Sequence, residues 1–110
     1  MERFTVGTVV ITQFPFSDLR TQKYRPAIVL AIGDFEDLVM CQVTSFKDGS
    51  TNVIELNHSS FEVGSLKKVS YARPDKLFTG DPKLVLGVAG KLTSGSLSKV
   101  KSKLRQIFDL

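Results

Sequence analysis

The sequence is poor in the residues on which several classes of small protein depend. Its 110 residues include one cysteine, Cys41, one histidine, His58, and no tryptophan. A lone cysteine cannot form an internal disulfide, and with a single histidine it cannot complete a structural zinc site. The longest apolar run, residues 27–32, is far shorter than the roughly 20 residues that a membrane helix needs. We therefore expect no disulfide scaffold, no zinc module and no membrane span.

Familiar catalytic motifs are also missing. A pair of histidines is impossible, and the strings typical of zinc proteases, serine hydrolases and phosphate-binding loops do not occur. The first residues show no basic segment, long apolar stretch and cleavage site in succession, so we expect a cytoplasmic protein. The hydrophobic fraction of 42% and the charged fraction of 24% are typical of globular proteins. Because chains usually divide only beyond about 250 residues, residues 1–110 are expected to form one domain.

Charge is unevenly distributed along the chain. Fifteen Lys and Arg against 11 Asp and Glu give a net charge of +4. Residues 1–55 carry five basic and seven acidic side chains, whereas residues 56–110 carry ten and four. Such asymmetry is typical of a positive face that attracts a polyanion, although the lysines near the C-terminus are also explained as the solvated side of a helix.

Short β-branched and alternating segments predict a mainly β fold with five or more strands. The predicted strands are residues 8–12, 27–32 (buried on both faces), 38–44, 52–57 and 68–73, the last ending at Pro74 because proline cannot donate to a ladder. Residues 33–37 form the connection of a central hairpin. Residues 81–92 are apolar but interrupted by Gly87 and Gly90, and their pattern assigns no element.

An amphipathic helix is predicted at the C-terminus, with Thr93 or Ser94 as its N-cap. Its apolar positions recur at helical spacing and need a hydrophobic seat on the strands. They are Leu97, Val100, Leu104, Ile107 and Phe108.

A long connection, residues 14–25, joins the first two predicted strands and mixes aromatic with basic side chains. Phe16 and Tyr24 can stack on bases. Arg20, Lys23 and Arg25 can pair with phosphates, and the combination is suited to single-stranded nucleic acid. The alternative is that the aromatic rings fold into the core and the charges face solvent. Elsewhere, Cys41 is predicted to be an inert core thiol.

Two further polar features have simple interpretations. The acidic residues of the 33–37 connection, Asp34, Glu36 and Asp37, are typical of a turn, and His58 is expected in a surface loop.

Several ordered strings resemble the PemK/MazF family of toxin endoribonucleases. They are Gly-Thr-Val-Val-Ile at 7–11, Phe-Pro-Phe-Ser-Asp-Leu at 14–19, Lys-Tyr-Arg-Pro-Ala-Ile-Val-Leu at 23–30 and Cys-Gln-Val-Thr-Ser at 41–45. Residues 70–79 and the closing helix continue the likeness over nearly the whole chain.

The resemblance implies a small SH3-like barrel that forms a homodimer and cleaves single-stranded RNA without a metal or other cofactor. It also implies inhibition by an acidic, partly disordered antitoxin. The family's principal catalytic positions match Arg25 and Thr44, and a second pair implicated in some members matches Arg73 and Asp75. Matching or neighbouring positions expected to bind substrate are Phe16, Ser17, Lys23, Tyr24 and Ser45.

The implied reaction is attack of a ribose 2′-hydroxyl on the adjacent phosphorus, which needs positioning, proton transfer and stabilisation of a dianionic phosphorane. Arg25 and Thr44 can donate hydrogen bonds, and Asp75 is a better candidate base than an arginine. Residues 20–24 lack the glycine and the acidic residue that many family members have there, so the preferred RNA sequence stays open. A catalytically silent barrel that binds RNA or a protein tail, and a purely protein-binding module, are the alternatives.

Overall fold

The computed structural model describes residues 4–14, 24–47 and 49–110, which form seven strands and one α-helix. Short 3-10 turns occur at Asp34–Glu36, His58–Ser60 and Pro82–Leu84. The main elements are β1 (Thr8–Gln13), β2 (Tyr24–Ile32), β3 (Leu38–Thr44), β4 (Ile54–Leu56), β5 (Phe61–Gly64), β6 (Ser70–Gly80), β7 (Val85–Leu92) and α1 (Ser94–Phe108).

All neighbouring strands pair antiparallel in the order β4-β6-β3-β2-β1-β7-β5. The sheet curls into a nearly closed barrel and the helix follows its last strand. The prediction of a mainly β, SH3-like barrel with a C-terminal amphipathic helix is thus confirmed. No helix in the described ranges is long and apolar enough to span a membrane.

Both faces of the central strands are buried. Val9 and Ile28, which are paired across β1 and β2, belong to one hydrophobic cluster, and the next pair, Val10 and Ala27, belongs to another. Because successive side chains of a strand point to opposite faces, this arrangement accounts for the continuous apolar run in β2. Its end at Ile32 is exposed, so only the middle of the predicted doubly buried strand is buried on both faces.

β6 is longer than the pattern predicts because it continues through Pro74 to Gly80. Gln42 pairs with Arg73 and Cys41 with Leu77, so residues 74–76 form a bulge without partners on β3. A proline in a bulge has no ladder hydrogen bond to lose, which is why Pro74 does not end the strand.

Residues 81–92, whose sequence pattern assigns no element, contain the strand β7, and it pairs with the short, unpredicted β5. Gly64 lies opposite Gly90 at their crossing. A Cβ on Gly64 would lie 2.2 Å from the Ala89 carbonyl oxygen, and one on Gly90 would lie 2.3 Å from that of Val63. Gly90, one of the two glycines that interrupt the apolar pattern, therefore allows β5 and β7 to approach each other closely.

The helix begins as predicted, but its last predicted apolar residue, Phe108, is 55% exposed. Thr93 is the N-cap, and its Oγ1 accepts a hydrogen bond from the Ser96 backbone N–H at 3.1 Å. Val100 is fully buried, and Leu97 and Leu104 pack against the first hydrophobic cluster. The seat of the helix is formed by β4, β6 and β7.

Candidate functional site

An open groove of about 790 Å³ lies where β2 begins and β3 ends. The segment between β5 and β6 contributes a further part of its lining, and β1, β6 and β7 contribute one residue each. The lining residues are Ile11, Arg25, Pro26, Val43, Thr44, Ser45, Phe46, Ser65, Leu66, Lys67, Lys68, Ser70 and Ala89.

Arg25 is the second residue of β2 and is exposed at the groove. Its guanidinium carbon lies 5.8 Å from the centroid of the Phe14 ring, and Phe14 in turn packs against Phe78 with ring centroids 4.8 Å apart. A cation over an aromatic face is attracted by the ring quadrupole, so the buried Phe14–Phe78 pair helps to hold the guanidinium in place. The N–H groups of the Arg25 guanidinium are thus exposed to a ligand, while the contact with Phe14 restricts the position of the side chain.

Thr44 is the last residue of β3 and is partly buried. Its Oγ1 accepts a hydrogen bond from the backbone N–H of Phe46 at 3.2 Å, which closes a turn just after the strand. Because the hydroxyl uses a lone pair in this contact, its hydrogen is left to donate to a groove ligand.

The strand register brings Arg25 and Thr44 to the same face of the sheet. The paired part of β2 and β3 ends at Ala27 and Gln42, and two further residues along each strand lead to Arg25 and Thr44. Directly opposed residues of antiparallel strands project to one face, so continuing this register by two residues puts Arg25 and Thr44 on the same face, and both line the groove. Neither is sealed in the interior.

Arg73 and Asp75 form a separate pair. The Arg73 Nε–H donates to Asp75 Oδ1 at 3.3 Å and an Nη2–H donates to Oδ2 at 3.4 Å. The Arg73 side chain is 10% exposed and that of Asp75 is 29% exposed. Arg73 lies opposite Gln42, which is two residues from Thr44 on β3 and therefore on the same face of that strand. Neither Arg73 nor Asp75 lines the groove. The bulge at residues 74–76 lets the carboxylate fold back onto the guanidinium.

The residues expected to bind substrate are distributed differently. Ser45 lines the groove next to Thr44, whereas Tyr24 is 44% exposed at the start of β2 and is not among the lining residues. Phe16, Ser17 and Lys23 lie outside the described residues.

Sequence reasoning missed three prominent groove residues, namely Phe46, Lys67 and Lys68. Two features of the sequence could have indicated them: an aromatic residue directly after the Val-Thr-Ser string, and two consecutive lysines shortly before β6. The two lysines and Arg25 make the charged lining cationic, because the described part of the chain contributes no carboxylate and no histidine to it. Such a groove favours an anionic ligand.

The remaining reactive residues lie elsewhere. Cys41 is fully buried in the first hydrophobic cluster, and this burial raises the pKa of its thiol to about 12, which agrees with the prediction of an inert core residue. His58 is exposed in a 3-10 turn whose N-cap is Asn57, as expected of a surface residue. The acidic residues Asp34 and Glu36 lie in the turn between β2 and β3.

Solved structures resemble the chain over its whole length. A MazE-MazF crystal structure from Deinococcus radiodurans has a TM-score of 0.79 at 21% identity and covers 100% of this chain and 99% of that one. MazF from the same organism has a TM-score of 0.77 at 20% identity, with 100% of each chain covered. An endoribonuclease in complex with its cognate antitoxin, from a mycobacterial species, has a TM-score of 0.72 at 14% identity and covers 96% of this chain and 94% of that one. These likenesses show a shared fold.

Sequence comparison is more specific. No curated protein matches the chain significantly. A family model described as the PemK-like, MazF-like toxin of type II toxin-antitoxin systems matches residues 5–108. Because this match spans nearly all of the sequence and agrees with the fold, the chain belongs to the family of PemK-like, MazF-like toxins of type II toxin-antitoxin systems.

Proposed function

We propose that this protein is a toxin endoribonuclease that cleaves single-stranded RNA by 2′-hydroxyl attack, without a metal ion. Residues 1–110 act as one domain within a homodimer in the cytoplasm, and a cognate antitoxin inhibits it. The family match over residues 5–108 and the likeness to solved structures described as endoribonucleases support this function.

The observation on which the proposal rests is the placement of Arg25 and Thr44 in one groove. The two residues come from different strands, are separated by 18 residues in sequence, and line one groove just beyond the paired end of β2 and β3. Each offers hydrogen-bond donors at the surface. Two fixed donors beside a cationic surface are the arrangement that stabilises negative charge developing on a phosphate.

The chemistry follows from these donors. The ribose 2′-hydroxyl gives up its proton to a base as its oxygen attacks the adjacent phosphorus. The bond from phosphorus to the 5′-oxygen breaks, and this oxygen takes a proton from water, which yields a 2′,3′-cyclic phosphate and a 5′-hydroxyl. The Arg25 guanidinium binds the non-bridging oxygens, and the Thr44 hydroxyl donates a further hydrogen bond. Because the nucleophile belongs to the RNA, the protein has to supply orientation, charge stabilisation and proton transfer.

Proton transfer is the second part of the proposal. Of the four proposed catalytic residues only Asp75 can accept a proton at neutral pH, since arginine stays charged and a threonine hydroxyl is a poor base. In the free protein, both Asp75 oxygens face Arg73. We assign Asp75 as the base that receives the 2′-hydroxyl proton and Arg73 as the residue that orients it. Because neither residue lines the groove, this role requires the bound RNA to extend past the groove lining to the Arg73–Asp75 pair.

The partners follow from the same surface. The mycobacterial endoribonuclease was solved with its cognate antitoxin, and the Deinococcus structure pairs MazE with MazF. An acidic, partly disordered antitoxin segment complements a groove whose charged lining includes Arg25, Lys67 and Lys68. Occupation of the groove by such a segment excludes RNA.

The decisive experiment is digestion of single-stranded RNA in excess chelator by the wild type, Arg25→Ala and Arg25→Lys. Arg105→Ala, on the exposed side of the terminal helix, is the matched control. We expect wild type and control to cleave and Arg25→Ala to lose about 100-fold or more in rate, as for loss of one oxyanion donor. Arg25→Lys keeps the charge without the donor fork and should recover little.

Two results would contradict the proposal. Full activity of Arg25→Ala would remove Arg25 from the mechanism. Salt-dependent RNA binding by the wild type with no cleavage would instead support the catalytically silent barrel.

A further inference from the structure

We infer that Phe46 is a stacking platform for a base of the RNA, and that Lys67 and Lys68 bind its backbone phosphates. This inference rests on the proposed function and deepens it, because it assigns the substrate-binding surface of the same groove to residues outside the family strings. It names three contacts that the sequence pattern does not assign.

Phe46 is an aromatic ring in open contact with solvent. It is 70% exposed and lines the groove, and its backbone N–H donates to Thr44 Oγ1 at 3.2 Å. This hydrogen bond holds the Phe46 backbone beside Thr44, a residue proposed to touch the scissile phosphate. An exposed aromatic face next to a phosphate site is the feature by which proteins bind single-stranded nucleic acid, because every base offers a π-face for stacking.

The two lysines belong to the segment that leads from β5 to β6. Leu66 packs against the first hydrophobic cluster, and the Ser70 hydroxyl donates a hydrogen bond to the Lys68 carbonyl oxygen at 3.0 Å. Both interactions hold the backbone while Lys67 and Lys68 remain exposed. The segment thus presents two cations to the groove from an anchored backbone.

The charge of the lining favours an anionic chain, and under the proposed nuclease function that chain is RNA. Every charged lining residue in the described ranges is cationic, and a phosphate backbone supplies one negative charge per nucleotide. The contrast with Phe35 is informative, since that ring is 97% exposed but lies between Asp34 and Glu36 in an acidic turn. Phe35 and Phe46 are both exposed, but only Phe46 shares its surroundings with cationic side chains.

The first test measures binding of a random-sequence, fully 2′-O-methylated RNA oligonucleotide by fluorescence anisotropy. This probe lacks the free 2′-hydroxyl needed for cleavage, so binding is observed separately from catalysis. We expect Phe46→Leu to weaken binding by about 5- to 150-fold, the range for loss of one stacked base, and Phe46→Tyr to retain it. Phe35→Leu is the matched control and should bind as the wild type does.

The second test uses salt. The slope of log affinity against log salt concentration should become shallower by about 1.4 in the double variant Lys67→Gln, Lys68→Gln, because each phosphate that is no longer neutralised reduces the slope by roughly 0.7. Lys99→Gln, Lys101→Gln removes two exposed helix lysines and should leave the slope nearly unchanged. Equal slopes in the two double variants would overturn the assignment of the lysines.

Cleavage kinetics separate this inference from the proposed function. Phe46→Leu should raise KM with little change in kcat, since stacking acts in both the ground state and the transition state. If the wild type cleaves RNA but Phe46→Leu binds and cleaves equally well, the inference fails and the nuclease stands. If the wild type binds the probe in a Phe46-dependent way but never cleaves RNA, the nuclease fails and the binding surface stands. A change in oligomeric state without a change in RNA affinity would overturn the stacking role.

Discussion

Replacement of Thr44 by valine isolates the contribution of one hydroxyl group. Valine has nearly the shape of threonine and the same preference for strands, so the end of β3 keeps its side-chain volume. The change removes one donor to the phosphorane, which should lower kcat by about 10²- to 10³-fold, or about 2.7–4 kcal/mol. Thr44→Ser keeps the hydroxyl and should retain most of the activity.

The structural cost of this change is small. The Phe46 N–H loses its acceptor at 3.2 Å, but this hydrogen bond is exposed and water can replace it. We expect a stability loss below about 1 kcal/mol, and so a shift in Tm of about 4 °C or less. Thr79→Val, at an exposed position of β6 outside the groove, is the matched control.

The assay is single-turnover cleavage of an end-labelled RNA in chelator, with Tm measured in parallel. A Thr44→Val variant that cleaves about as fast as the wild type would refute the role of the hydroxyl. A low rate accompanied by a large drop in Tm would show that the residue acts through folding instead.

Three further predictions concern the rest of the molecule. Asp75→Asn should reduce kcat by about 10²- to 10⁴-fold and remove the acidic limb of the pH–rate profile, and an unchanged profile would exclude a general base there. Gly90→Ala should lower the free energy of unfolding by about 1–3 kcal/mol, because the new Cβ would lie 2.3 Å from the Val63 carbonyl oxygen. Gly87→Ala is the control: its Cβ would meet no atom of the described residues within 4 Å, so thermal melts should show almost no change. Burial raises the pKa of Cys41 from 9.0 to about 12, so the thiol of the native protein should resist alkylation at pH 8. Between pH 9 and 12 the unfolded chain loses this proton while the folded protein keeps it, so the stability of the wild type should fall more steeply with pH than that of Cys41→Ala, by up to about 1.4 kcal/mol per pH unit.

Local patterns were sufficient for the elements that are stable within one stretch of chain. The alternation of residues 38–44 and the helical spacing that follows Thr93 predict β3 and α1 with their observed starts. These signals are local because a strand has a period of two and a capped helix begins at a specific side chain. β5 was missed because its four residues depend on the close approach of Gly64 to Gly90.

The candidate site was predictable only in part. The matching strings single out Arg25 and Thr44, but their meeting depends on the register of β2 and β3. That register depends on a one-residue shift in the ladder between Val29 and Ala31, and on a connection in which Phe35 and Glu36 adopt φ angles of 61° and 67°, a left-handed conformation that their residue types disfavour. No local propensity predicts such a turn, so the register had to come from the packed sheet.

The sequence by itself determined the fold class, the terminal helix and the family, because periodicity, capping and ordered strings are properties of neighbouring residues. Only the tertiary structure decided that Phe46, Lys67 and Lys68 share a groove with Arg25, while Arg73 turns to Asp75. The physical reason is that a binding surface is assembled from segments distant in sequence, whose proximity is set by strand pairing and by burial of both faces of the sheet.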